Sequence, residues 1–207
     1  MKTIAVIQAR TGSSRLRGKV LLPLAGRPML ARVVGRVRQA TLVDEVVIAT
    51  TTSSPDDAIE SMCGQLSVAC IRGSGDDGLS RYCSAAVAHS ADFVVRITSD
   101  CPLIDPAVID SVIRALNEPD PVDYAANIIG RRTFPRGLDT EAMTSPTLQR
   151  LDRLAEDSSL REHVTLYVHR HPDQFRTRGV YSNSDDSGMR WTVDTQEDYE
   201  LMTRIYE

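Results

Sequence analysis

The sequence predicts an α/β fold with a mainly parallel central sheet and helices on both faces. Two observations predict it. Short, continuously apolar runs alternate with helical patterns as far as Leu116, and strands without in/out alternation are those buried on both faces. Turn and cap signals separate the runs at the spacing of β-α units, whose right-handed crossovers line the strand-to-helix loops along one sheet edge.

The elements follow in order. Thr3–Gln8 is an apolar strand. Arg27–Ala40 reads as a helix, with Pro28 in its first turn and Met29, Leu30, Val33, Val34 and Val37 as the apolar stripe. Glu45–Thr50 is a second strand. Ser54-Pro55-Asp56-Asp57 opens a helix with a capping serine, a proline and two acids, and that helix ends near Gly64. Ser67–Ile71 is a third strand, Asp77–His89 a helix and Asp92–Ile97 a fourth strand. Asp105-Pro106 caps a helix running to about Leu116. The run Glu118-Pro119-Asp120-Pro121 then breaks the chain. Beyond it the regular order ends. Val122–Ala126 and Leu138–Met143 read as extended, Thr147–Ala155 and Ser159–Arg170 as helical, and Phe175–Val180 and Met189–Val193 as further strands. Thr195-Gln196-Glu197-Asp198 resembles a capping box and starts a last helix to Tyr206. The polar run Asn183–Gly188 is a loop.

With 207 residues, the chain is read as one domain, 1–207, with halves at 1–121 and 122–207. A net charge of −4 argues against coating a nucleic acid, though local basic clusters can still hold a small polyanion. No apolar run approaches the ~20 residues of a membrane span. The apolar start ends at Gln8 and meets Arg10, so it reads as a strand rather than a leader. Cys63, Cys70, Cys83 and Cys101 have no CxxC spacing, which suits reduced thiols in a cytoplasmic protein.

The segment Gln8-Ala9-Arg10-Thr11-Gly12-Ser13-Ser14-Arg15-Leu16-Arg17-Gly18-Lys19 follows the first strand directly. Small residues such as Gly12, Ser13 and Ser14 let backbone amides approach an anion. Arg10, Arg15, Arg17 and Lys19 add guanidinium forks and an ammonium, the mixture that a triphosphate needs. The loop is neither GxxxxGK[ST] nor GxGxxG. Four cations at the ligand-binding edge of a parallel sheet outweigh the reading as a solvated basic turn.

QARTGSSRLRGKVLLPLAGRPML (8–30) resembles the signature of the cytidylyltransferases that activate ketodeoxyoctonate and acylneuraminate sugars. The closer match is the spore-coat polysaccharide biosynthesis protein F-like branch, which usually has a proline where this chain has Arg17. Further matches are Arg72-Gly73-Ser74 with Asp76-Asp77 and Arg81-Tyr82; RITSDCPLID (96–105); Pro135-Arg136-Gly137-Leu138-Asp139; Arg161-Glu162-His163-Val164-Thr165; and RWTVDTQEDYE (190–200). The resemblance implies a Rossmann-like nucleotidyltransferase (GT-A-like) fold with a C-terminal acceptor and dimerisation excursion. It also implies magnesium dependence, CTP as nucleotide, a homodimer, and a place in polysaccharide or spore-coat biosynthesis. The first half then binds nucleotide, and the second covers the acceptor and supplies a second metal ligand.

Asp100 and Asp194 each follow a predicted strand. Two aspartates brought to one sheet edge suit magnesium, which takes few protein carboxylates and fills its shell with phosphate and water. Each also has a reading as a helix cap; for Asp100, Asp105 is the better cap, and the resemblance tips both toward metal.

The expected reaction is attack by an acceptor oxygen on the α-phosphorus, with pyrophosphate leaving. Arg10, Arg15, Lys19 and Asp100 are the catalytic candidates, and no general base is assigned. The other nucleotide-binding candidates are Gln8, Ala9, Gly12, Ser13, Ser14, Arg72, Gly73, Ser74, Asp77, Arg81 and Ser99. Backbone near Ala9 and Gly73, with the Ser74 hydroxyl, is expected to read the base. Gly75 and Gly78 replace larger residues common in the branch, which implies a more flexible loop. Asp77 reads equally as a helix cap, and Arg81 faces either the site or solvent.

Asn127, Arg136, Gly137, Asp139, Glu141 and His163 are the acceptor-side candidates. The resemblance places the Arg136–Asp139 stretch in the acceptor pocket, and arginines there suit an acidic acceptor: a keto-acid sugar, or a phosphorylated or phosphonate compound. Arg131 and Arg132 read equally as surface residues. His163, His169 and His171 lack HExxH spacing and a fourth ligand, which argues against zinc. Trp191 reads as core. Two other functions compete: a sugar-1-phosphate nucleotidyltransferase using another triphosphate, and a non-catalytic nucleotide-binding protein.

Overall fold

The computed structural model describes residues 1–207. Its nine strands are β1 (Thr3–Gln8), β2 (Pro23–Leu24), β3 (Arg27–Pro28), β4 (Glu45–Thr51), β5 (Ala69–Gly73), β6 (Phe93–Thr98), β7 (Tyr124–Ala126), β8 (Glu141–Thr144) and β9 (Thr177–Gly179). Its helices are α1 (Met29–Val37), α2 (Asp57–Leu66), α3 (Gly78–Ala88), α4 (Pro106–Asn117), α5 (Ser145–Leu154), α6 (Ser158–Glu162), α7 (Leu166–Arg170) and α8 (Gln196–Tyr206).

Seven strands form one sheet in the order β5-β4-β1-β6-β8-β7-β9. The first four are parallel; β8 runs antiparallel to β6 and β7, and β9 lies parallel to β7. The expected mainly parallel α/β sheet is present. Chain order reverses between β1 and β6, which is where open parallel sheets place ligands.

The central strands bury both faces, as their unbroken apolar runs require. Ala5 and Ile7 join the core under α1, α2 and α4, whereas Ile4 and Val6 join the core under α3, α5, α6 and α7. Leu24, Met29, Val193 and Met202 form a small third core, with Trp191 packed against it. This cluster docks α8 against the β2–β3 hairpin and carries the chain around Asp194 back to the sheet edge. Trp191 is thus a packing residue, as read from the sequence.

Several boundaries differ from the sequence reading. Arg27 and Pro28 pair with Pro23 and Leu24 across Ala25 and Gly26, both at positive φ, so α1 starts only at Met29. Ser54–Asp56 forms a short 3-10 turn with no side-chain cap, and Asp56, at the N-cap of α2, leaves that helix uncapped because its carboxylate binds Thr11 and Thr51 instead. The single helix expected over 159–170 is two short ones, split near Val164 at φ 31°. Met189–Val193 is no strand. It makes one bridge, Arg136 with Arg190, beside Arg136. Gly78 does not loosen its loop: a Cβ there would lie 2.7 Å from the carbonyl oxygen of Glu162, so the glycine permits close packing of α6 on α3.

Candidate active site

The site is built at the carboxyl ends of β1 and β6, where Gln8 pairs with Thr98. After β1 the chain leaves as a crook. The amide of Gly18 donates to the carbonyl of Thr11 at 3.0 Å, and Gly18 turns at φ 64°. That reversal delivers Lys19 into the interior. Asp56 anchors the near arm: its Oδ1 accepts from the amide and hydroxyl of Thr11 at 2.8 and 2.7 Å, and its Oδ2 from the hydroxyl of Thr51. Burial pushes this carboxyl up, but the Thr51 and Thr11 donors outweigh it, and the group stays below the usual carboxylate range.

Two acids from distant sequence converge on Lys19. Its ammonium donates to Asp100 Oδ2 at 3.1 Å, Asp194 Oδ1 at 3.0 Å and the carbonyl of Val193 at 2.7 Å. The amide of Val193 donates to the carbonyl of Asp100 at 2.8 Å, which ties the two segments together. The hydroxyl of Thr98 fixes Asp100 Oδ1 at 2.6 Å. Arg15 and Arg190 reach Asp194 at 2.9 and 2.8 Å. Against the upward push of burial, Lys19, Arg190 and Arg15 hold the Asp194 carboxyl below its ordinary range.

The capping alternatives resolve by geometry. Thr195 caps α8 in a capping box with Asp198, whose carboxylate also accepts from the amides of Asp194 and Thr195. The Asp194 side chain takes no part. Asp105 caps α4 through the amide of Ala107, leaving Asp100 free. The donors available to a metal are therefore hard carboxylate oxygens, with no third His, Cys, Asp or Glu close enough to complete a cluster. Burial pushes the neighbouring Cys101 thiol well up, and its Sγ is engaged with Thr98 and Asp100. This donor set fits a divalent ion that shares its shell with phosphate and water.

A cleft of about 380 Å³ opens over these groups. Of the expected residues, Gln8, Arg10, Gly12, Ser13, Ser14, Arg15, Lys19, Ser99, Asp100, Asp194 and His163 line it. So do Arg96, Thr98 and Glu162, which sequence reasoning missed. Arg96 had a signal, a lone charge inside the apolar strand Phe93–Thr98. Glu162 accepts from Arg10 at 3.0 Å. A second cleft of about 220 Å³ holds Arg136, Gly137 and Asp139 with Arg190 and Thr192, and shares Thr98, Asp100 and Asp194 with the first. Expected nucleotide and acceptor sides thus meet at the two aspartates.

Other expected site residues are used inside the protein. Arg72 donates to the carbonyl of Thr51 and pairs with Asp57 and Glu60 at 2.6 Å each, which draws it to α2 and away from the cleft. Arg81 faces neither site nor solvent: it is buried under the Gly73–Ser74 turn and donates to the carbonyl of Ser74. Gly73 leaves room for it, since a Cβ there would lie 2.9 Å from Arg81 Cγ. Asp77 caps α3 through the amide of Ser80 and binds Arg161. The Asn127 side chain is fully buried between the carbonyl of Leu138 and the amide of Thr140. Glu141 is buried against Arg96 and the hydroxyl of Tyr124. Asp139 borders the smaller cleft but is paired with Arg132. Ala9 is buried, its amide bonded to Ala49. His169 contacts Tyr124 and His171 packs by Tyr167.

A family model described as cytidylyltransferase matches residues 4–207. The chain is 36% identical to an uncharacterised protein of Methanocaldococcus jannaschii, covering 99% of this chain and 83% of that one. It is 33% identical to the spore coat polysaccharide biosynthesis protein SpsF of Bacillus subtilis, covering 98% and 85%. A cytidylyltransferase structure from Leptospira borgpetersenii superposes with a TM-score of 0.93 at 36% identity, covering 98% and 85%. CMP:2-keto-3-deoxy-manno-octonic acid synthetase complexed with CTP shares the fold, with a TM-score of 0.73 at 22% identity over 99% and 98%.

Proposed function

This chain belongs to the cytidylyltransferase family, and from that premise we propose that it transfers CMP from CTP to a small acidic acceptor, with release of pyrophosphate. The observation that supports this most is the Lys19 ammonium held between Asp100 and Asp194, beneath the loop carrying Arg10 and Arg15.

An acceptor oxygen attacks the α-phosphorus, the bond to the bridging oxygen breaks, pyrophosphate departs and the acceptor proton passes to water. Lys19 lies where α-phosphate charge must be neutralised. Arg10 and Arg15 are half-exposed and pair only with Glu162 and Asp194, so both can turn to the β- and γ-phosphates and stabilise the leaving group. When bound, a magnesium ion held by Asp100 and Asp194 would supply further neutralisation of phosphate charge. Arg136, exposed in the smaller cleft and free of any ion pair, suits the acid group of an acceptor. Positioning across the two clefts supplies the rest. Manufacture of an activated precursor for polysaccharide biosynthesis, by a homodimer, belongs to the same reading.

The test is a pyrophosphate-release screen of all four triphosphates with magnesium, against keto-acid sugars, sugar phosphates and phosphonates. Release with CTP and an acidic acceptor, abolished by chelator, is expected. Release with another triphosphate alone, or nucleotide binding without release, would overturn the proposal.

A further inference from the structure

Two polar atoms at the floor of the larger cleft are buried without a partner: Gln8 Oε1 and Arg96 Nε. Both residues line that cleft. They stand on adjacent parallel strands, where Val6 pairs with Arg96 and Gln8 with Thr98. Side chains two apart share a face, so Gln8 and Arg96 are neighbours on the face that carries α3. One is an unmet acceptor and the other an unmet donor. Arg96 cannot turn away, because Glu141 holds its Nη1 and the hydroxyl of Tyr124 in turn holds Glu141 at 2.5 Å.

An orphaned buried polar atom is costly, and of the four such atoms in the chain these two are the pair whose residues line the cleft. A hydroxyl completes both atoms at once, accepting from Nε–H and donating to Oε1. We propose that Gln8 and Arg96 form a subsite for a ribose hydroxyl of the nucleotide. The inference rests on the CTP reading above. Ribose is favoured over the base because Gln8 pairs with Thr98, whose hydroxyl holds Asp100, which keeps the pair close to the α-phosphate site, and ribose is the unit bonded to that phosphate. The acceptor is disfavoured because neither residue lines the smaller cleft with Arg136.

The test is calorimetric binding, without acceptor and with magnesium, of CTP, 2′-deoxy-CTP, 3′-deoxy-CTP and UTP. For the natural protein at least one deoxy analogue is expected to bind about tenfold or more weakly than CTP, because its missing hydroxyl leaves the pair unmet. Gln8→Met, of similar size and without the amide, should abolish that difference while keeping the preference for CTP over UTP. Equal binding of CTP and both deoxy analogues would overturn the subsite, and since it is read on the unaltered protein, a variant that misfolds leaves the question decided. Loss of the UTP preference in Gln8→Met, with the deoxy penalty intact, would assign the pair to the base and overturn the ribose reading. Absence of any CTP binding would instead remove the nucleotide reading on which the inference rests.

Discussion

Lys19 has one ammonium and three acceptors, two of them the carboxylates of Asp100 and Asp194, which lie 81 and 175 residues further along the chain. Its arrival there depends on Gly18, whose left-handed turn costs a glycine little. Lys19→Ala removes the group that the proposed mechanism sets against the α-phosphate, so turnover should fall by about 100- to 1000-fold. The fold should persist, because Val193 and Asp100 stay joined through their backbones. Steady-state pyrophosphate release, with circular dichroism as the control, decides it; an unfolded variant would mean that the ammonium is chiefly structural. The sequence marked Lys19 by charge and position, and Asp100 and Asp194 by position together with the family resemblance. It did not mark Asp56, which resembled an ordinary acid in a helix's first turn. Only the approach of Thr11 shows that this acid holds the cationic loop after β1.

At the scale of elements, a loop with no regular structure sets the second carboxylate. Gly137 sits at φ 104°, and a Cβ there would lie 2.6 Å from the carbonyl carbon of Trp191. Backbone rather than a flexible side chain fills that space, so the neighbour cannot simply give way. Gly137→Ala should cost about 1–3 kcal/mol from backbone conformation alone, more from the clash, and should lower turnover by displacing Trp191 to Asp194. Thermal melting and steady-state kinetics check both effects; an unchanged melting temperature would refute the close-packing argument. The same contact explains why Met189–Val193 reads as a strand yet is not one. Trp191 and Val193 face the α8 core and Met189 is exposed, while the segment's backbone makes only one bridge, from Arg190 to Arg136.

For the whole molecule, the buried Arg96–Glu141 pair joins β6 to β8, where the sheet turns from parallel to antiparallel. Burial raises the Glu141 carboxyl, but Arg96, with help from His169, Thr165 and Tyr124, lowers it further, to well below its usual range. A depressed carboxyl contributes stability above its unfolded value of about 4.3, and that contribution is lost as pH falls further. Glu141→Ala should therefore cost about 3–5 kcal/mol at neutral pH, by stranding Arg96. The gap between natural and variant protein should narrow progressively below about pH 4. Urea unfolding at pH 7 and pH 3 measures it; a constant gap would contradict a charged, paired Glu141.

Periodicity and cap chemistry are local, so the sequence by itself determined the parallel α/β half, the α8 capping box and the cationic loop, and the family resemblance singled out the two aspartates that converge on Lys19. Long-range pairing is not local. Only the tertiary structure decided that Asn127 and Glu141 face inward, that Arg72 and Arg81 serve the scaffold, and that Arg96 reaches the cleft. A charged side chain looks the same in a sequence whether it meets a ligand or a buried partner, and what it meets depends on which strands the fold sets side by side.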